Sequence, residues 1–190
     1  MVSANFDHFC EDWLRKANLC NETSIDGCYD KFFTLFVVFN RLYAESTFEL
    51  ARRGLIRIQP NRPLPDRRGA TEYTLQLIGS VAFAELHRIY LFTPVSIIAT
   101  LIESGQFSIK LSNPNGDSQP DKDRKLLLAL RSSGNTRDLA ILDLIYSIRC
   151  NLFHGHKEFQ QVQSELLRPA IEILNHVIQS LRHELGRRGA

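Results

Sequence analysis

IDGCYDKFFTLFVVFNRLYAESTFELARR, residues 25–53, decides the fold. Tyr29, Phe32, Phe33, Phe36, Phe39, Tyr43 and Phe48 recur at steps close to the helical repeat, with Asn40 among them, so the aromatic groups gather along one side of a helix. The helix is predicted to begin at about Ile25 or Asp26 and to stop at Gly54. So much aromatic surface reads as core packing in preference to a base-stacking platform. A helix that offers it needs other helices to cover it.

Working outward, Phe6, Phe9, Cys10, Trp13, Leu14 and Ala17 predict a short first helix ahead of this one. Behind it, Pro60, Pro63 and Pro65 make residues 53–70 a loop. Thr71 is placed to open the next helix, which continues through Leu75, Ile78, Phe83, Leu86 and Tyr90 until Thr93-Pro94 breaks it. Another helix is expected over 94–104. The alternation of Phe107, Ile109 and Leu111 suggests a very short extended segment near 107–111, and residues 112–120 form a turn or loop. Helical pattern resumes over 121–130, pauses at Ser132-Ser133-Gly134-Asn135, and restarts with Thr136 as the cap for Leu139, Leu142, Ile145, Tyr146 and Ile148. A last helix over 160–185 carries Leu166, Leu167, Ile171, Leu174, Val177, Ile178 and Leu181, with Pro169 shifting or kinking its start. The expectation is an all-α bundle of five to six helices, folded as a single domain over 1–190.

With 190 residues, 44% apolar and 23% charged, the chain has the balance of a soluble globular domain. The opening MVSANFDHFCEDW mixes charges with aromatic groups and reads as mature sequence. The longest apolar stretches are interrupted by Glu85, His87 and Arg88 or by Glu103, so no membrane span is expected and a cytoplasmic location is. Cys10, Cys20, Cys28 and Cys150 have neither CxxC spacing nor a ligand repeat, so free thiols are expected in preference to disulfides or a zinc site. There is no glycine-rich phosphate loop, no HExxH and no GxSxG, and no cofactor is expected. A net charge of +2 does not by itself announce nucleic-acid binding. Locally, though, Arg52, Arg53, Arg57, Arg62, Arg67 and Arg68 face the single acid Asp66. Such a run is usually a solvated loop, but arginine without lysine leans toward phosphate contact.

The segment that asks for a chemical explanation is Tyr146-Ser147-Ile148-Arg149-Cys150-Asn151-Leu152-Phe153-His154-Gly155-His156-Lys157. Leu142, Ile145, Leu152 and Phe153 are core-facing in the helical register, which leaves Arg149, Asn151 and His154 on or near the remaining side. Gly155 is expected just past the helix end, so His154 falls in the last turn, where the dipole favours a protonated imidazole. A histidine can move a proton near neutral pH, an arginine can offset charge on phosphate oxygens, and an amide can orient either. The group suits cleavage of a phosphodiester, with the ribose 2′-hydroxyl as nucleophile and a cyclic phosphate as first product. No carboxylate cluster is present to hold magnesium, so the reaction is expected to be metal-independent. The plainer alternative is that His154 and Gly155 cap a helix while Arg149 and Asn151 tie helices together.

The stretch Ile148-Arg149-Cys150-Asn151-Leu152-Phe153-His154-Gly155 resembles the signature of the HEPN superfamily, an arginine and a histidine separated by four to six residues. Its place on the long helix before a final amphipathic one is also similar to that family. The resemblance implies a helical domain filling nearly the whole chain, which dimerises so that two copies of the motif share a cleft. It further implies a metal-independent ribonuclease acting as a toxin or in antiviral defence, with a separate antitoxin protein as a potential partner. His154 is then the acid–base residue, Arg149 the phosphate-binding one and Asn151 a polar support. The sequence departs from the family at Cys150, where a polar residue, commonly asparagine, follows the arginine. His156 and Lys157 are candidate RNA contacts, as are Arg52, Arg53, Arg57, Arg67 and Arg68. LFVVFNRLYAE, residues 35–45, resembles helices that support the motif, which makes Asn40, Arg41, Tyr43 and Glu45 candidate supporting residues. The alternative within the same family is a catalytically silent domain that binds RNA, a nucleotide or a partner protein.

Overall fold

Ser24 starts the long aromatic helix: its side-chain oxygen accepts a hydrogen bond from the Gly27 amide at 3.0 Å. Gly27 is required there, because a Cβ would lie 1.8 Å from the Asn21 carbonyl oxygen. In the computed structural model, which describes residues 4–59, 63–111, 116–153 and 161–187, the chain is an all-α bundle. Among the described residues it has seven continuous helices: α1 (Ala4–Asn18), α2 (Ile25–Arg52), α3 (66–78), α4 (Ser80–Glu103), α5 (Pro120–Leu130), α6 (Asn135–Phe153) and α7 (Gln163–Gly186).

Helix α2 is the spine. Phe32, Phe36, Phe39 and Tyr43 form a ladder of rings 5.3 to 6.1 Å apart, all buried, against α7. Phe48, expected in the buried stripe, is exposed instead. On α7 the predicted stripe is buried throughout, and the helix runs through Pro169 without stopping.

The count of five to six helices is corrected to seven in the region the prolines and glycines punctuate. Helix α3 begins at Asp66, earlier than Thr71, and passes through a π-helical turn at Gly69–Tyr73. Gly69 lets that turn sit against α2, since a Cβ would lie 2.9 Å from the Tyr43 ring. The break expected at Thr93-Pro94 falls instead at Gly79, whose φ of 89° is open to glycine. Helix α4 continues through Pro94 because a second π-helical turn, His87–Leu91, precedes it. The wider turn makes room for the pyrrolidine ring and absorbs the missing amide.

As one helix, α4 reaches 24 residues, with a mean hydropathy of 1.3 in its most apolar window. By length and composition alone it could cross a bilayer, contrary to the sequence expectation, and only 28% of that window is buried. Its inner side packs on α5 and α7. The extended segment near 107–111 reduces to a single antiparallel bridge between Leu111 and Ser118. All four cysteines are free thiols.

Helix α6 is enclosed by α3, α4, α5 and α7. Asp138 in its first turn is fully buried, and Arg137 donates to it from Nε and Nη2 at 3.0 and 2.8 Å. These charges act on half-buried His87, whose pKa is lowered from 6.5, first by burial and then by Arg137, with Asp138 opposing. The unfolded chain therefore takes up this proton first as pH falls. Stability present above pH 6.5 is expected to be lost below it. Urea midpoints measured between about pH 7 and pH 5 should fall less steeply in His87→Gln than in the wild type.

Candidate functional site

Three successive residues near the end of α6 point three ways. On the α2 side, the Arg149 guanidinium carbon lies 5.5 Å from the centre of the Phe36 ring, a cation–π distance. Asn151 turns toward the extended segment and donates from Nδ2 to the Ile109 carbonyl at 2.8 Å. Between them Cys150 lines an open cleft of about 890 Å³. Arg149 and Asn151, expected in one site, are thus held by different neighbours. His154, His156 and Lys157 lie outside the described residues, and so does Gly155.

The cleft exists because the chain after α4 is tied down at two places. Buried Asp123 on α5 accepts hydrogen bonds from the Ser108 hydroxyl at 2.6 Å and from the Ile109 and Lys110 amides at 3.1 and 2.8 Å. Asn151 fixes the Ile109 carbonyl from the α6 side. The segment therefore bridges α5 and α6 and forms an end wall. Leu126, Ala129, Leu139 and Ala140 give the cleft apolar lining.

Its charges are not balanced. Asp143 accepts from Arg67 Nε at 3.0 Å and from Lys110 Nζ at 2.5 Å, and the same ammonium donates to Ser147 Oγ at 2.8 Å. Glu72, the other acid in the lining, pairs with Arg68. Lys122 and Lys125, one turn apart on α5, also line the cleft, and among the described residues neither has a carboxylate partner. At the α3 side, Asp66 accepts from both Tyr43 and Tyr146, the latter at 2.9 Å. Burial, and then the Asp66 carboxylate, push both phenols well above their ordinary pKa, so both remain neutral donors.

The other sequence candidates are dispersed. Tyr43 is buried and reaches the motif region through Asp66. Arg41 and Glu45 pair with each other at 2.7 Å, with Arg41 over the Phe6 ring, and Asn40 is exposed. Arg52 and Arg53 both pair with Glu49, and Arg57 is exposed. Among the described arginines of the run, only Arg67 lines the cleft. Lys110, Lys122 and Lys125 escaped sequence reasoning, because lysines on a short helix and a turn read as a solvated face. No family model, curated protein or solved structure matches this chain.

Proposed function

We propose that this protein is a metal-independent endoribonuclease of the HEPN type, acting as a toxin or in antiviral defence. One observation supports it: the helix carrying Arg149 forms the wall of a cation-lined cleft that reaches Cys150 and Asn151. In this reading the cleft guides the RNA backbone toward the end of α6. There the 2′-hydroxyl attacks the adjacent phosphorus and the bond to the 5′ oxygen breaks. His154 moves the proton and Arg149 offsets the phosphorane charge, leaving a cyclic phosphate and a 5′-hydroxyl. The test is incubation of labelled total RNA with the protein in EDTA. Cleavage leaving cyclic phosphate ends is the expected result, and intact RNA would overturn the reading.

A second reading, a silent binding domain, is favoured by one specific feature. Arg149 packs on Phe36 and Asn151 holds Ile109, both contacts that tie helices together. RNA retained on the protein but uncut in the same assay would select it.

The partner proposed for the outward side of α4 is a second copy. Val81, Ile89, Phe92 and Ile97 are exposed along α4, Val81 by 85% and Phe92 by 63%. Glu85 and Arg88, also exposed, pair at 2.6 Å. A two-fold axis between Leu86 and His87 would set each Glu85 against the other copy's Arg88, and each Val81 against the other Phe92. The face is self-complementary in charge and apolar surface. Asp138, which acts on His87 near that axis, and Arg149 are about 16 Å apart along α6. Each subunit then carries its own site, unlike the shared cleft the resemblance implies. Phe92→Glu is expected to convert a dimer to a monomer in sedimentation velocity while RNA cleavage persists. An unchanged dimer would refute this surface, and a monomer that no longer cleaves would restore the shared cleft. Vesicle binding by the wild type, lost in the variant, would assign the face to a membrane.

A further inference from the structure

We infer that the cleft between α5 and α6 binds the phosphate of a nucleotide, with Lys122 and Lys125 as its grip and Asp143 as a built-in competitor for the same cations. The inference concerns binding alone and holds whether or not the end of α6 cleaves RNA.

Size comes first. A cleft of about 890 Å³ is within the range that takes a whole small organic ligand and exceeds what inorganic phosphate needs. Its lining is divided. Leu126, Leu139 and Ala140 offer apolar surface for a ring, and the charged groups are side chains long enough to meet a phosphate.

The electrostatics select the sign. Arg67, Lys110, Lys122 and Lys125 line the same space as Glu72 and Asp143. Asp143 is shared between Arg67 and Lys110, and Glu72 is engaged by Arg68 outside that set. Among the described residues, Lys122 and Lys125 are left as neighbouring like charges lining a partly apolar space. Three residues apart on a helix, their Cβ atoms are about 5–6 Å from each other, and the two ammoniums can converge on one phosphate. A dianionic phosphate relieves their repulsion. It also draws on Lys110, whose ammonium is largely buried between Asp143 and Ser147 and whose position is already set.

The shared chemistry is a nucleotide phosphate, supplied either by a free nucleotide or by an RNA strand. The test is calorimetric titration of the wild type and the Lys122→Gln/Lys125→Gln variant with adenosine 5′-monophosphate, adenosine and inorganic phosphate. A 2′-O-methyl oligoribonucleotide, which cannot be cleaved by 2′-hydroxyl attack, is the fourth ligand. The monophosphate should bind at least about tenfold more tightly than adenosine or phosphate, and the double variant should lose at least about tenfold. Asp143→Asn should move affinity the other way, tightening the monophosphate several-fold because Arg67 and Lys110 are released to it. Alkylation of Cys150, followed by mass spectrometry, should slow when ligand fills the cleft.

A stronger hold on the oligonucleotide than on the monophosphate, lost in the same variant, would make an RNA strand the ligand. The reverse order would make it a free nucleotide. Wild-type protein that binds no phosphate-bearing probe would overturn the inference. So would undiminished binding by a double variant whose circular dichroism and melting temperature are those of the wild type.

Discussion

Replacing His154 by alanine is expected to lower metal-free RNA cleavage by about 10²- to 10⁴-fold, the usual contribution of a positioned acid–base group. On the proposed mechanism the effect should lie in turnover more than in RNA binding, because there the imidazole acts on a proton and the cleft cations hold the RNA. Any limb of the pH–rate profile that reports this imidazole should vanish with it. Arg149 provides the companion test. Its guanidinium lies over Phe36, so Arg149→Ala removes a packing contact as well as a charge, and a loss of activity there would be ambiguous. Arg149→Lys keeps the charge and loses the planar fork. If this variant melts like the wild type but cleaves far more slowly, the guanidinium acts on phosphate. Full activity in His154→Ala would remove the histidine from the mechanism.

Phe39→Ala is expected to destabilise the fold by about 3–5 kcal/mol, which for a domain of this size is a fall of roughly 6–20 °C in melting temperature. Phe39 has no exposed surface, and its ring stands nearly perpendicular to Phe36 at 5.5 Å and to Tyr43 at 5.3 Å. The loss combines apolar transfer, the cavity left behind and two edge-to-face contacts. It also reaches the site, because Phe36 supports Arg149 and Tyr43 donates to Asp66. Phe39→Leu, which keeps most of the volume, should cost clearly less. Urea unfolding of the two variants would check the order. Equal, small losses would mean that the aromatic ladder is not the spine of the core.

The helices that read best were those whose stripe meets one large partner. Phe32, Phe36 and Phe39 on α2, and Leu167, Ile171, Leu174 and Leu181 on α7, recur at helical spacing because the two helices cover each other. Pro94 misled for a local reason: a proline stops a regular α-helix, but the π-helical turn ahead of it is a backbone adjustment that residue types do not announce. Helix α6 has little amphipathic pattern because it is surrounded, so polar Arg149 and Asn151 looked like members of one exposed face. Their partners, the Phe36 ring and the Ile109 carbonyl, come from positions 113 and 42 residues away.

The sequence by itself determined an all-α chain and the aromatic helix as its centre. Each follows from side-chain spacing within one or two helical turns, and that spacing is written locally. Only the tertiary structure decided that Arg149 and Asn151 serve different neighbours, and that Lys110, Lys122 and Lys125 meet Arg67 and Asp143 around one cleft. Those groupings depend on how a short tethered segment docks between two helices. Charges distant in sequence become neighbours in space only after the chain has packed.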